Sequence, residues 1–291
     1  MDFKDTFFSR NLSINCRGRL IDLSTPKIMG ILNVTPDSFY DGGRYLKNEA
    51  VKSRIKQMIS EGADIIDIGG FSSRPGAMPV SAEEELNRLM PALEILRDSY
   101  PDFPVSIDTC RSEVANELHV KYGIDIINDI SGGNLDEKLV DFAIQNRLPY
   151  IIMHMQGAPE NMQDNPVYED IVDDLLDFFT GKIENYSSKG MNDIIIDPGF
   201  GFGKTLDHNF ELLSALEVFR TFEIPILVGL SRKSMIYRSL GIDPGGSLNG
   251  STALHMYALS KGASILRVHD VREGREVVQL YEKLNNAQKE H

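Results

Sequence analysis

The sequence predicts a (β/α)8 barrel of the TIM type, an α/β fold, on three observations. Eight short apolar runs recur along the 291 residues: IMGILN, ADIIDIGG, PVSIDT, IDIIND, YIIMHM, DIIIDPG, PILVGLS and ASILRVH. Each leads to a polar residue, in order Asn33, Asp67, Asp108, Asn128, His154, Asp197, Ser231 and His269. The segments between them are long enough for a helix, and many carry apolar residues at helical spacing. In such a barrel the C-terminal strand ends and the loops that follow them build the active site. The eight polar residues are therefore expected to converge on one pocket, as in an enzyme.

Taken in order, residues 12–23 (LSINCRGRLIDL) alternate weakly around a glycine. They predict an N-terminal β-hairpin placed to plug the bottom of the barrel. Lys27 to Asn33 is the first barrel strand, and Lys47 to Glu61 its helix, with Val51, Ile55, Met58 and Ile59 on one face. SAEEEL opens the next helix, with Ser81 as N-cap and Glu84 completing a capping-box pattern. Ile171, Leu175, Phe178 and Phe179 share a face between Tyr168 and Tyr186. Asp207 or Asn209 is expected to cap the helix carrying Phe210, Leu212, Leu213 and Leu216. Gly250-Ser251-Thr252 precedes the helix ALHMYALSKGA, and REVVQLYEKL forms the last one. No linker or second composition regime interrupts this order. One domain over 1–291 is expected, with the barrel proper over about 27–285.

Composition narrows the class. A hydrophobic fraction of 42% with 25% charged residues is that of a globular protein. No apolar run approaches the roughly 18–20 residues that cross a membrane. MDFKDTFFSR lacks the basic start and apolar stretch of a signal peptide. Two distant cysteines, Cys16 and Cys110, exclude a disulfide framework, so reduced thiols in a cytoplasmic protein are expected. A net charge of −13 argues against a nucleic-acid-coating surface, and no membrane partner is expected. An anionic substrate needs only local positive charge, for which Arg74, Lys233, Arg267 and His269 are placed at strand ends or in the loops after them.

Asp108 and Asp197 end apolar runs, where a lone carboxylate is costly unless paired or hydrogen-bonded. With Asn128 they suit a flat heterocycle presenting several N–H donors. DPGFGFGKT fails as a phosphate loop, because five residues before Gly203 stands Pro198 rather than glycine. It reads instead as a Gly-rich turn that exposes Phe200 or Phe202 near Asp197. His154, flanked by apolar residues and without a second ligand at metal spacing, reads as a satisfied core histidine, and Cys110 as a small packed residue. Arg267 and His269 alternate on the last strand and face the same side. Facing the barrel mouth opposite Asn33, they form a candidate anion cradle for phosphate. Ser231-Arg232-Lys233-Ser234 follows the seventh strand, where barrels hold phosphate at a helix N-terminus. The long loops VTPDSFYDGGRY and FSSRPGAMPV are expected to act as lids.

Assembled, the motifs IMGILNVTPDSFYDGG, GADIIDIGGFSSRPGA, SIDT, INDISGG, MHMQG, IIDPGFGFGK, VGLSRKS and RVHDV closely resemble those of the dihydropteroate synthase family of pterin-binding TIM barrels. The match runs from about Lys27 to Glu273. The resemblance implies condensation of 6-hydroxymethyl-7,8-dihydropterin pyrophosphate with p-aminobenzoate, giving 7,8-dihydropteroate and pyrophosphate. It implies that Asp197, Asn128, Asp108, Met153 and Lys233 bind the pterin. Asn33, Ser73, Arg267 and His269 would take the pyrophosphate, and Asn33 with Asp41 would engage Mg²⁺. Phe39, Arg74, Pro75, Phe202 and Ser234 would form the p-aminobenzoate pocket. Asp108, Lys233, Arg267 and His269 would carry catalysis, with sulfonamides as inhibitors and a homodimer as the assembly.

One departure is marked: where the family reads Gly-Gly-Glu-Ser-Thr-Arg-Pro-Gly, this chain has Phe71 for Glu and Ser73 for Thr. Ser73 keeps the hydroxyl; Phe71 is expected to be tolerated with activity retained. Two other readings are a methyltetrahydrofolate-binding methyltransferase and a catalytically silent pterin-binding barrel. Pyrophosphate release under turnover separates the three.

Overall fold

The computed structural model describes residues 12–35, 44–71, 80–157, 162 and 166–289. Ser13–Cys16 (β1) and Arg19–Asp22 (β2) pair antiparallel, with Ser13 opposite Asp22. Their two-residue turn, Arg17-Gly18, has positive φ at both positions, as tight hairpins require, and Asn15 Oδ1 accepts the Gly18 N–H at 2.7 Å.

Eight parallel strands follow: Lys27–Asn33 (β3), Ile65–Gly69 (β4), Val105–Asp108 (β5), Ile126–Asp129 (β6), Tyr150–Met153 (β7), Ile194–Asp197 (β8), Leu227–Val228 (β9) and Ile265–Val268 (β10). They pair in the order β8-β7-β6-β5-β4-β3-β10-β9. The parallel bridge Ile196–Ile226 brings the two edges together and closes the barrel. Nine helices lie between and after the strands among the described residues: Arg44–Ser60 (α1), Ala82–Ser99 (α2), Ser112–Tyr122 (α3), Glu137–Asn146 (α4), Ile171–Ser188 (α5), Leu206–Ser214 (α6), Ser234–Leu240 (α7), Leu248–Ser260 (α8) and Val271–Lys289 (α9). Their apolar faces and the outward residues of the strands make one continuous outer core. No described helix is long and apolar enough to cross a membrane.

The barrel interior changes character along its axis. At the bottom, Met29, Ile65, Ile126, Ile151, Ile195, Leu227 and Ile265 cluster with Ile14, Cys16 and Leu23 of the hairpin segment, which fills the N-terminal opening as expected. Because side chains alternate along a strand, the next inward positions above Ile65, Ile126, Ile151, Ile195 and Ile265 are Asp67, Asn128, Met153, Asp197 and Arg267. An apolar floor thus carries a polar storey. Outside the barrel, Arg17 pins the hairpin through Asp125 at 2.9 Å, and Arg97 takes the other oxygen of that carboxylate at 2.7 Å. Ile14→Ala is expected to cost about 2–4 kcal/mol, the usual range for truncating a buried aliphatic side chain. A shift in the urea midpoint measures it; an unchanged midpoint would show that the floor does not need the plug.

Three local expectations are corrected. Thr205, not Asp207 or Asn209, caps α6, accepting the His208 N–H at 3.1 Å while the His208 ring returns the bond to the cap. The Asn209 amide is committed elsewhere, to Gly201 and Thr205. Helix α8 starts at Leu248, so Gly250, Ser251 and Thr252 lie inside it. Ser81 does cap α2, accepting from Glu84 N at 3.2 Å, but the Glu84 carboxylate pairs with Arg88 instead of closing the box.

Candidate active site

The C-terminal mouth of the barrel collects Asn33, Asp108, Asn128, Met153, Asp197, Arg267 and His269 from six strands or the positions just after them. Phe202, Lys233 and Ser234 come from the loops after β8 and β9 and the first turn of α7. Phe39, Asp41, Ser73, Arg74 and Pro75 lie outside the described residues.

At the centre is a charge network. Arg267 donates from Nε to Asp67 Oδ2 at 2.7 Å and from Nη2 to Asp108 Oδ2 at 2.8 Å. Asn128 Nδ2 donates to the same Asp67 oxygen at 3.0 Å. Asp67 is fully buried, at 0% exposure, and orients both Arg267 and Asn128. It was visible in the sequence as a polar residue in an apolar run, but only its position two residues above Ile65 puts it under the pocket. Burial, then its carboxylate neighbours Asp67, Glu85 and Asp129, raise the Asp108 carboxyl to about 7 despite the opposing Arg267 charge. Burial works against the Arg267 charge, yet the two flanking carboxylates outweigh it and hold its pKa above the ordinary arginine value.

Asp197 stands on the opposite wall. Its Oδ1 accepts the Gly199 N–H at 2.8 Å, and burial raises its carboxyl against the pull of that bond and of Lys233, Arg267 and Lys204. Lys233 donates from Nζ to the Phe200 carbonyl at 2.6 Å and sits 4.1 Å from the centroid of the Phe202 ring, a cation–π distance. Burial lowers its pKa to about 8, with the Asp197 charge opposing that shift.

The Gly-rich turn after β8 decides between the two phenylalanines expected there. Phe200 is buried in the outer core, whereas Phe202, at 9% exposure, joins Cys110, Ile130, Met153 and Met162 in a small apolar cluster on the site side. Phe71 and Met155 pack against that cluster. The turn needs its first glycine: Gly199 has φ +72°, and a Cβ there would fall 2.0 Å from the His154 carbonyl oxygen.

On the anion side, burial and the neighbouring Arg267 charge lower the His269 pKa to about 4, so its ring is neutral near pH 7 and the cation of the proposed cradle is Arg267. A cavity of about 800 Å³ opens beside Asn33 and His269, lined also by Arg54 and Arg232. Arg232 is held by Asp270, at 2.9 and 2.5 Å. His154 is a satisfied interior residue, as expected: its Nδ1 lies 3.0 Å from Lys204 Nζ and its ring meets Phe178 edge-on. Cys110 is buried and unbridged, with burial pushing its thiol pKa well up. Among the described residues no group of three or more His, Cys, Asp or Glu side chains could hold a metal ion.

Comparison with known proteins gives a consistent result. The family described as Pterin binding enzyme matches residues 29–269. The dihydropteroate synthase of Escherichia coli K12 is 43% identical over 279 residues, covering 95% of this chain and 98% of its own. The Yersinia pestis dihydropteroate synthase, solved as a sulfonamide drug complex, superposes with a TM-score of 0.88 at 42% identity, covering 94% of this chain and 100% of its own. The Xanthomonas albilineans dihydropteroate synthase with 4-aminobenzoic acid gives a TM-score of 0.87 at 37% identity, covering 94% and 98%.

Proposed function

This chain belongs to the dihydropteroate synthase family of pterin-binding enzymes, and on that premise we propose that it joins p-aminobenzoate to the methylene carbon of 6-hydroxymethyl-7,8-dihydropterin pyrophosphate. The observation that carries this reading is the pairing of two walls across one barrel mouth, Asp197 with Lys233 on one side and Asp108 with Arg267 on the other.

The pterin lies between them. Asp197, with Oδ1 already taken by Gly199, offers its other oxygen to the N–H edge of the ring. Asn128 and Asp108 hold the remaining polar edge, Met153 packs on the face, and Lys233 serves the carbonyl side. Arg267 presents Nη1 to the pyrophosphate while Asp67 and Asp108 hold its Nε and Nη2. His269 adds a neutral N–H donor and Asn33 an amide. The p-aminobenzoate rests against Phe202 and Ser234, with Phe39, Arg74 and Pro75 supplied by the two long loops.

The C–O bond to the pyrophosphate breaks first, the electron pair leaving with the phosphate oxygen, where Arg267 stabilises the growing charge. The cationic methylene left behind lies beside Asp108. A cation there favours the ionised form of a carboxyl otherwise held at about 7, so Asp108 becomes the stabilising carboxylate. The aniline nitrogen then bonds to the methylene carbon and loses a proton to the departing pyrophosphate or to solvent. An aniline is nucleophilic enough to need no strong general base.

Mg²⁺ fits this donor set as an ion carried mainly by phosphate oxygens, because such ions take few protein ligands. Asn33, whose Oδ1 borders Gly69 at the mouth, would hold it together with Asp41. When bound, it would neutralise pyrophosphate charge. A homodimer through the outer helices is part of the same proposal; Leu280 and Leu284, 58% and 57% exposed one turn apart on α9, are suited to it.

The test is formation of dihydropteroate and pyrophosphate from the two substrates with Mg²⁺, with and without p-aminobenzoate, alongside Asp197→Ala and an excess of EDTA. Product that requires Asp197 and Mg²⁺, and that a sulfonamide suppresses competitively with p-aminobenzoate, supports the reading. Pterin binding without pyrophosphate release would overturn it. Phe71→Glu, which puts a carboxylate against the apolar cluster of Cys110, Ile130, Met153, Met162 and Phe202, is expected to lower turnover rather than restore it. A more than tenfold gain, about 1.4 kcal/mol in the barrier, would show instead that Phe71 is a handicap.

A further inference from the structure

Lys204 has no part in the mechanism above, yet it is the most deeply buried cation near the site, at 3% exposure. Its Nζ lies 3.1 Å from the Gly199 carbonyl, 3.1 Å from the Phe202 carbonyl, 3.2 Å from the His154 carbonyl and 3.0 Å from His154 Nδ1. Burial lowers its pKa to about 7, with the Asp197 charge opposing; as an ammonium it has three N–H donors and no acceptor, shared among the four acceptors that enclose it. Burial and the Lys204 charge lower the His154 pKa to about 3, which keeps that ring neutral and able to accept at Nδ1.

These contacts concentrate on one segment. Of the backbone carbonyls between Gly199 and Gly203, Lys204 holds those of Gly199 and Phe202, Lys233 that of Phe200, and the Tyr168 hydroxyl that of Gly203, at 2.6 Å. The segment has little apolar anchorage of its own beyond Phe200 and Phe202. Its placement decides two site features: the Gly199 N–H that fixes Asp197, and the Phe202 ring beneath Lys233.

We infer that Lys204 is a positioning residue for the amine-binding half of the site, tying residues 199–203 to the end of β7 and so fixing the Phe202 ring and, through Gly199, the Asp197 carboxylate. The inference rests on the dihydropteroate synthase reading. It gives the lysine of the Gly-rich turn a role that does not involve phosphate.

The experiment is a double-mutant cycle between Lys204→Met and Phe202→Ala, read as kcat and as KM for each substrate, with circular dichroism and thermal unfolding on every variant. Lys204→Met is expected to raise KM for p-aminobenzoate about tenfold and KM for the pterin pyrophosphate about threefold, with kcat changed less than either. On the Phe202→Ala background the same substitution is expected to add less than about twofold to the p-aminobenzoate KM, because the group it positions is gone. A general loss of stability would instead lower active enzyme without this split, and full additivity or an unchanged KM would overturn the inference. Should Lys204→Met fail to fold, Lys204→Gln, which keeps two N–H donors, carries the same cycle. Failure of both to fold would make Lys204 a requirement of the fold and overturn its assignment to the site. Wild-type protein that forms no dihydropteroate sinks the functional reading, whereas active wild type with an unaltered variant sinks only the inference.

Discussion

Asp197→Asn is expected to lower kcat/KM for the pterin pyrophosphate by about 10³–10⁴, with little change in stability. The substitution is isosteric, but it replaces one of two acceptors with an NH₂ donor. If the amide oxygen keeps the Gly199 N–H, now 2.8 Å from Oδ1, the NH₂ faces the N–H edge of the pterin, donor against donor. If the amide flips, the clash moves to Gly199 and the turn shifts. Either arrangement loses the match in a buried pocket, where an unpaired donor costs about 1–3 kcal/mol, and two such mismatches multiply. Removing the charge also relieves the burial that raises the Asp197 carboxyl, which offsets the lost attraction to Lys233 and Arg267. Steady-state kinetics and a urea titration measure the two halves of this expectation. A loss below tenfold would show that Asp197 is not the pterin-edge acceptor.

Arg267→Met is expected to damage both catalysis and folding. It removes the guanidinium proposed to receive the leaving pyrophosphate, for a loss of about 10³ in kcat. It also strands Asp67 and Asp108 in the barrel without their shared cation, and breaking such a buried arrangement costs about 3–5 kcal/mol. The deficit should depend on pH with a definite sign. Asp108 has a folded value of about 7 against 3.8 in the open chain, so the folded state binds its proton more tightly. Stability linked to that group is full below 3.8 and declines as pH rises toward 7. Without Arg267 the folded value moves higher still and the decline extends further up. The variant should therefore lie nearest to wild type at about pH 4–5 and furthest from it at about pH 8. Thermal unfolding across that range checks it; a deficit that grows toward acid would contradict the network.

Much of this was legible in the residues because the barrel strands are buried on both faces and read as nearly unbroken Ile and Val runs. A polar residue at the end of such a run has few places to go but the pocket, which is how Asn33, Asp108, Asn128, Asp197 and His269 could be picked out together. What sequence could not give was partnership. Asp67 is one more polar residue in ADIIDIGG until the sheet register sets it two residues above Ile65 and within reach of Arg267. Lys204 is only the lysine that ends a Gly-rich turn until its four acceptors are seen. Caps depart from expectation for a related reason: Asn209 is a good capping residue by type, but its amide is drawn to the Gly-rich turn and Thr205 takes the cap. The Phe71 departure is visible in the sequence at once, while the apolar cluster it packs against is gathered from segments far apart in the chain, Cys110, Ile130, Met153, Met162 and Phe202.

The hairpin that seats itself under the barrel also constrains the order of assembly. Residues 12–23 leave the ribosome before any barrel strand, yet their docking site includes Ile195, Leu227 and Ile265, the last of which lies more than two hundred residues downstream. The earliest part of the described chain therefore cannot reach its final position until the final strand has closed the ring. Until then the nascent protein displays an uncovered apolar floor, the surface on which chaperone capture or aggregation would compete with folding.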